Sequence, residues 1–74
     1  MSVKVYLKHN SEYRTYTVIS GISSDVYDLY KLAKVLKGMI GAKKKRISEE
    51  RSRIYFIGDH TERISQLLDT IGFT

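Results

Sequence analysis

The sequence predicts an α+β fold in which two helices lie on one face of a four-stranded sheet. Three observations lead there. The apolar residues change period along the chain, from every second residue in short Val-, Ile-, Thr- and Tyr-rich segments to a 3.6-residue repeat in two longer ones, in the order β-β-α-β-β-α. Each helical segment has one apolar stripe and each strand pair one apolar face, and a two-layer α/β sandwich is the simplest body that buries them all. The chain has 74 residues, which suits a single domain over 1–74, with no internal repeat and no linker.

The first strand is read over residues 3–8, where Val3, Val5 and Leu7 alternate with Lys4, Tyr6 and Lys8. Residues 9–13 carry turn chemistry, and a second strand follows over 14–20, making a β-hairpin with a longish loop. The phase of this strand stays open: Tyr16 and Val18 could face inward, or Thr17 and Ile19. After a connection over 21–27, a helix is expected from 28 to 40. Its apolar stripe is Leu29, Leu32, Ala33, Leu36, Met39 and Ile40. Asp28 or Asp25 is placed to cap it, and Gly41 to stop it.

Residues 53–57 read as a strand. Lys44 to Ile47 is its expected hairpin partner, with the turn over 48–52. The second helix should follow Gly58, with Asp59 as cap and Glu62 completing a capping box. Its stripe is Ile64, Leu67, Leu68 and Ile71. Gly72 is the expected stop, with Phe73 packing back on the helix.

Composition narrows the function. A chain this short buries only about 60% of the surface it exposes when unfolded, so a deep substrate cavity is not expected. There is no Cys, hence no disulfide, zinc-thiolate or thiol chemistry. No segment reaches the roughly 18 apolar residues of a membrane span. Met1-Ser2-Val3-Lys4-Val5 lacks the continuous apolar stretch of a signal peptide, so the cytoplasm is the expected location. His60 lies near Asp59, Glu62, Thr61 and Ser65, but the two acids already have a capping role there. No enzyme, metal site or cofactor is expected.

The net charge of +5 points instead to a polyanion. Lys31, Lys34 and Lys37 share the stripe of the first helix opposite its apolar face, near Tyr27 and Tyr30. Lys43, Lys44, Lys45 and Arg46 are consecutive, and Arg51 and Arg53 return to the same hairpin. Four adjacent cations repel one another and add little to a strand, whereas clustered Lys and Arg release counterions from phosphates. At the first hairpin, Lys8, His9, Asn10, Tyr13 and Arg14 form a smaller polar tip suited to backbone contacts and base stacking.

The segment Gly58-Asp59-His60-Thr61-Glu62-Arg63-Ile64-Ser65-Gln66-Leu67-Leu68-Asp69-Thr70-Ile71-Gly72-Phe73 resembles the end of the translation initiation factor 1 domain. In that family a Gly-Asp-His or Gly-Asp-Gln turn leads into an amphipathic helix and then Gly-Phe or Gly-Leu. Tyr27 to Lys37 is similar to the family's Lys-rich first helix, and Thr15 to Ile22 to its second strand. The resemblance implies a two-layer sandwich that binds the small ribosomal subunit through rRNA and takes part in start-codon selection. It places the loop from Lys8 to Arg14 near the decoding region and Lys31, Lys34 and Lys37 on the rRNA surface. Ribosomal proteins or other initiation factors would be further partners, and the free protein would be a monomer.

The family's first loop has a basic tip, whereas here Glu12 sits within Asn10-Ser11-Glu12-Tyr13-Arg14. The chain also ends at Thr74, without the family's short final strand. The expectation is therefore a shortened member or paralogue, weighted toward anchoring over decoding. Two alternatives remain open: a permanent small-subunit ribosomal protein or general nucleic-acid binder of the same fold, and a protein-interaction module using an open sheet edge.

Overall fold

In the computed structural model, residues 3–9, 14–23, 25 and 27–72 are described. The elements are β1 (Lys4–His9), β2 (Thr15–Ser20), α1 (Leu29–Ile40), β3 (Lys45–Ser48), β4 (Arg53–Ile57) and α2 (Thr61–Ile71). They form the expected α+β arrangement. One fully antiparallel sheet runs in the order β1-β2-β4-β3, and α1 packs over β3 and β4 while α2 packs over β1. His9, assigned above to the turn, continues β1 by pairing with Thr15. Lys44 precedes β3, and Ser48 joins it by pairing with Arg53.

Register settles the phase of β2. Ile19 pairs with Val5 on one side and Ile54 on the other, and Thr17 pairs with Phe56. Directly opposed residues share a face, so Val5, Thr17, Ile19, Ile54, Phe56 and Ile47 all lie under the helices. There all but Thr17 meet Leu29, Ala33 and Leu36 of α1 and Ile64 and Leu68 of α2 in one core. Leu32, Ile40 and Leu67 of the helical stripes are half-buried, and two expected members are exposed: Met39 and Ile71, close to the helix ends, at 48% and 51%.

Helix α1 begins as expected on Asp28, whose carboxylate accepts from the Lys31 N–H at 3.2 Å, and stops at Gly41 in the left-handed conformation. The start of α2 departs from the expected capping box. The N-cap position is His60, and its own side chain makes no cap bond. Instead Thr17, wholly buried, reaches across from β2. Its hydroxyl donates to the Gly58 carbonyl and accepts from the His60 N–H, both at 2.7 Å. The His60 ring folds back so that Nε2 donates to the Ile57 carbonyl at 3.0 Å. Asp59 lies one residue too early to cap; it accepts from the Thr61 hydroxyl at 2.8 Å and the Thr61 N–H at 3.3 Å. These two bonds, hydroxyl first, and the nearby His60 hold the Asp59 carboxyl below its usual range.

The Gly58-Asp59-His60 turn is thereby explained by geometry. Gly58 has φ +101, and a Cβ there would stand 3.0 Å from His60 Nε2, so only glycine lets the ring close over the turn. Gly72 ends α2 in the left-handed region, its N–H donating to the Leu68 and Asp69 carbonyls. The packing expected of Phe73 lies outside the described residues.

Candidate nucleic-acid interface

The helices cover one face of the sheet and leave the other open. Alternation assigns to the open face Lys4, Tyr6 and Lys8 of β1, Tyr16, Val18 and Ser20 of β2, Arg53, Tyr55 and Ile57 of β4, and Arg46 and Ser48 of β3. Lys8 opposes Tyr16, and one row reads Tyr6–Val18–Tyr55–Arg46 across all four strands. None of the four strands contains an acidic residue.

Val18 is 0% exposed although no helix covers it and it stands apart from the helix-side core. Its cross-strand neighbours are Tyr6 and Tyr55, with Tyr16 two residues away on its own strand. All three tyrosines are half-buried, and at cross-strand spacing such rings are near enough to shield it. Tyr55 hydrogen-bonds Arg53. That bond and the phenols of Tyr6 and Tyr55 hold the Arg53 guanidinium above its usual range, so it carries its charge at any working pH. A shallow groove of about 510 Å³ crosses this face, lined by Lys8, Tyr16, Arg46, Ser48, Arg51 and Tyr55.

The predicted contact residues distribute over two surfaces. Lys8, Arg46, Arg51 and Arg53 gather on or beside the open face. Lys31 and Lys34 are exposed on the outer side of α1 next to Tyr30, with Lys37 half-buried at its flank. The basic run does not act as one patch. Lys43 and Lys44 are exposed before β3, whereas Lys45 and Arg46 alternate, Lys45 to the helix side beside Phe56 and Arg46 to the open side beside Tyr55. Arg14 is exposed at the start of β2, and Asn10 lies outside the described residues.

Sequence reasoning missed Tyr16, Ser48 and Tyr55 as surface groups. The alternation that set Lys4, Tyr6 and Lys8 on one face of β1 could have found Tyr55, but it could not tell which strand lay beside which. His9 Nδ1 lies 3.1 Å from the Thr15 hydroxyl on the exposed hairpin stem, and His60 is held in its turn. Among the described residues no group of His, Asp and Glu could hold a metal ion, and no helix is long and apolar enough to cross a membrane.

Residues 1–74 match the family model described as translation initiation factor SUI1. The chain is 33% identical over 72 residues to the protein translation factor SUI1 homolog of Pyrococcus horikoshii, covering 97% of this chain and 70% of that protein. It is 32% identical to the protein of the same name from Thermococcus gammatolerans over the same shares.

Proposed function

The chain belongs to the translation initiation factor SUI1 family, and from that membership we propose that it serves translation initiation in the cytoplasm by binding the small ribosomal subunit through rRNA. The observation that carries this reading is the family match along the whole of residues 1–74. The surface supports it independently. A sheet face with no acid in its strands and a helix presenting Lys31, Lys34 and Lys37 are suited to phosphate-rich partners. A contribution to start-codon selection belongs to the same proposal, secondary to anchoring because the sequence has Glu12 within the segment where the family it resembles is basic.

Sedimentation with purified small subunits tests it. We expect co-migration at low salt, lost as salt rises with a log–log slope of about 0.7 per phosphate contact, the figure for single strands. Failure to co-migrate at low salt would refute the reading. Presence on elongating ribosomes in equal number to small subunits would instead identify a permanent ribosomal protein.

A further inference from the structure

We propose that the open face of the sheet is a binding platform for unpaired RNA. On it, nucleobases stack on Tyr16 and Tyr55 in the groove between β1 and β3, with the backbone phosphates held by Lys8, Arg46 and Arg51. The inference rests on the RNA-binding reading above and specifies where, and in what form, RNA is held.

Three observations converge on it. First, the groove is lined by two aromatic rings, three cations and a serine hydroxyl, contributed by all four strands and the β3–β4 turn. Rings interleaved with cations are what a single strand needs, because bases offer π-faces and phosphates offer charge at alternating positions. Second, the balance of charge favours a polyanion. The strands hold no acid, the exposed Glu49 and Glu50 of the β3–β4 turn do not line the groove, and three of the face's cations are arginines, whose planar guanidinium both pairs with phosphate and stacks on bases. Third, the rings border a packed spot. Val18, which pairs with Tyr6 and Tyr55 and shares the open face with Tyr16, is fully buried, and half-buried rings lose less side-chain freedom than exposed ones when a base lands on them.

A regular duplex keeps its base faces inside the stack. It would meet this surface only through its phosphates and leave the rings idle. The outer face of α1 differs in this respect. Lys31 and Lys34 are exposed and Lys37 half-buried there, beside Tyr27 and Tyr30, 39% and 56% exposed respectively, and none of these five residues lines the groove. Unpaired RNA is therefore the occupant that uses every kind of group on the open face.

The test titrates the full chain with a ten-residue oligouridylate and, separately, with a ten-base-pair RNA duplex, while two-dimensional NMR follows the tyrosine rings. We expect the single strand to shift the ring resonances of Tyr6, Tyr16 and Tyr55 and leave those of Tyr27 and Tyr30 in place. Replacing Tyr16 or Tyr55 by Leu should weaken oligouridylate binding roughly tenfold each, the lower part of the range for losing one stacked base. Tyr16→Phe and Tyr55→Phe, which keep the ring, should stay within about twofold of the parent if stacking is the main term. The Phe variants keep the test valid should a Leu variant fold poorly.

Ring shifts confined to Tyr27 and Tyr30 overturn the inference, as does equal binding of both RNAs with unmoved rings. In either case, small-subunit co-sedimentation that persists leaves the broader reading standing. Loss of both oligouridylate binding and co-sedimentation in the parent protein overturns the two together.

Discussion

The two faces of the sheet are built from the same four strands, yet they do different work. On the helix side, Ile19, Ile54 and Phe56 disappear beneath α1 and α2, and burial there is supplied by separate elements. On the open side, Val18 is equally inaccessible, but only its own neighbours cover it. The difference shows how a very small protein can keep a rigid face exposed. Half-buried tyrosines can shield an aliphatic residue with the ring and still keep part of the side chain at the surface. Within β2, successive residues alternate between the two tasks: Tyr16 and Val18 face outward, Thr17 and Ile19 inward.

This division predicts that stability and RNA binding can be damaged separately. The largest loss of stability should come from Phe56→Ala on the covered side, about 3–5 kcal/mol for a buried aromatic. That is a large fraction of the total for a domain of this size, and denaturant unfolding would read it. Thr17→Val should rank next. It keeps the shape but leaves the Gly58 carbonyl and the His60 N–H without the hydroxyl that serves both, at about 1–3 kcal/mol in all, because both groups are only partly buried. Under folding conditions, neither substitution should change the salt slope of RNA binding. A changed slope would show that the covered side also shapes the RNA contact.

On the open side, the double replacement Arg46→Gln with Arg51→Gln should leave the unfolding midpoint in place, since both residues are exposed. It should lower the salt slope for small subunits by about 1.4, two contacts at about 0.7 each. Replacing Lys31 and Lys34 by Gln on the outer side of α1 gives the matched control. A larger fall there than for the arginines would mean that the helix, not the sheet, is the main anchor.

The sequence carried the helices well, because Leu29, Ala33 and Leu36 and again Ile64 and Leu68 repeat at helical spacing and their elements end at glycines. It carried the strands as elements but not the surface they make. In β2, Tyr16 and Val18 are as plausible a core pair as Thr17 and Ile19, and Val18 is in fact as buried as the helix-side pair while Tyr16 is half-buried. Only register, set by partners such as Tyr55 far along the chain, assigns them. The Thr17 clamp was illegible for the same reason, since it bridges to Gly58 and His60, 41 and 43 residues away. Local pattern therefore assigned to Glu62 the bond to the N-cap N–H that a distant threonine makes, and placed the N-cap at Asp59, one residue too early. The run Lys43 to Arg46 looked like one patch in sequence, and strand alternation divides Lys45 from Arg46.

The smallest expected effect belongs to Asp59, which lies at the junction of the two layers and forms part of neither face. Its carboxyl is held below the usual range chiefly by the Thr61 hydroxyl and N–H. A carboxyl depressed in the folded state stabilises that state at pH values above its unfolded pKa, and the contribution is lost as pH falls through the depressed value. The start of α2 should therefore be best protected at neutral pH and loosen below about pH 4, the ordinary aspartate value. Amide exchange at Thr61 between pH 6 and pH 3, corrected for intrinsic exchange, would follow it. Asp59→Asn should show weaker protection at pH 6 and little further loss on acidification. An equal acid loss in that variant would assign the effect to other carboxylates, and in either protein RNA binding at neutral pH should be unaltered, because Asp59 does not line the groove.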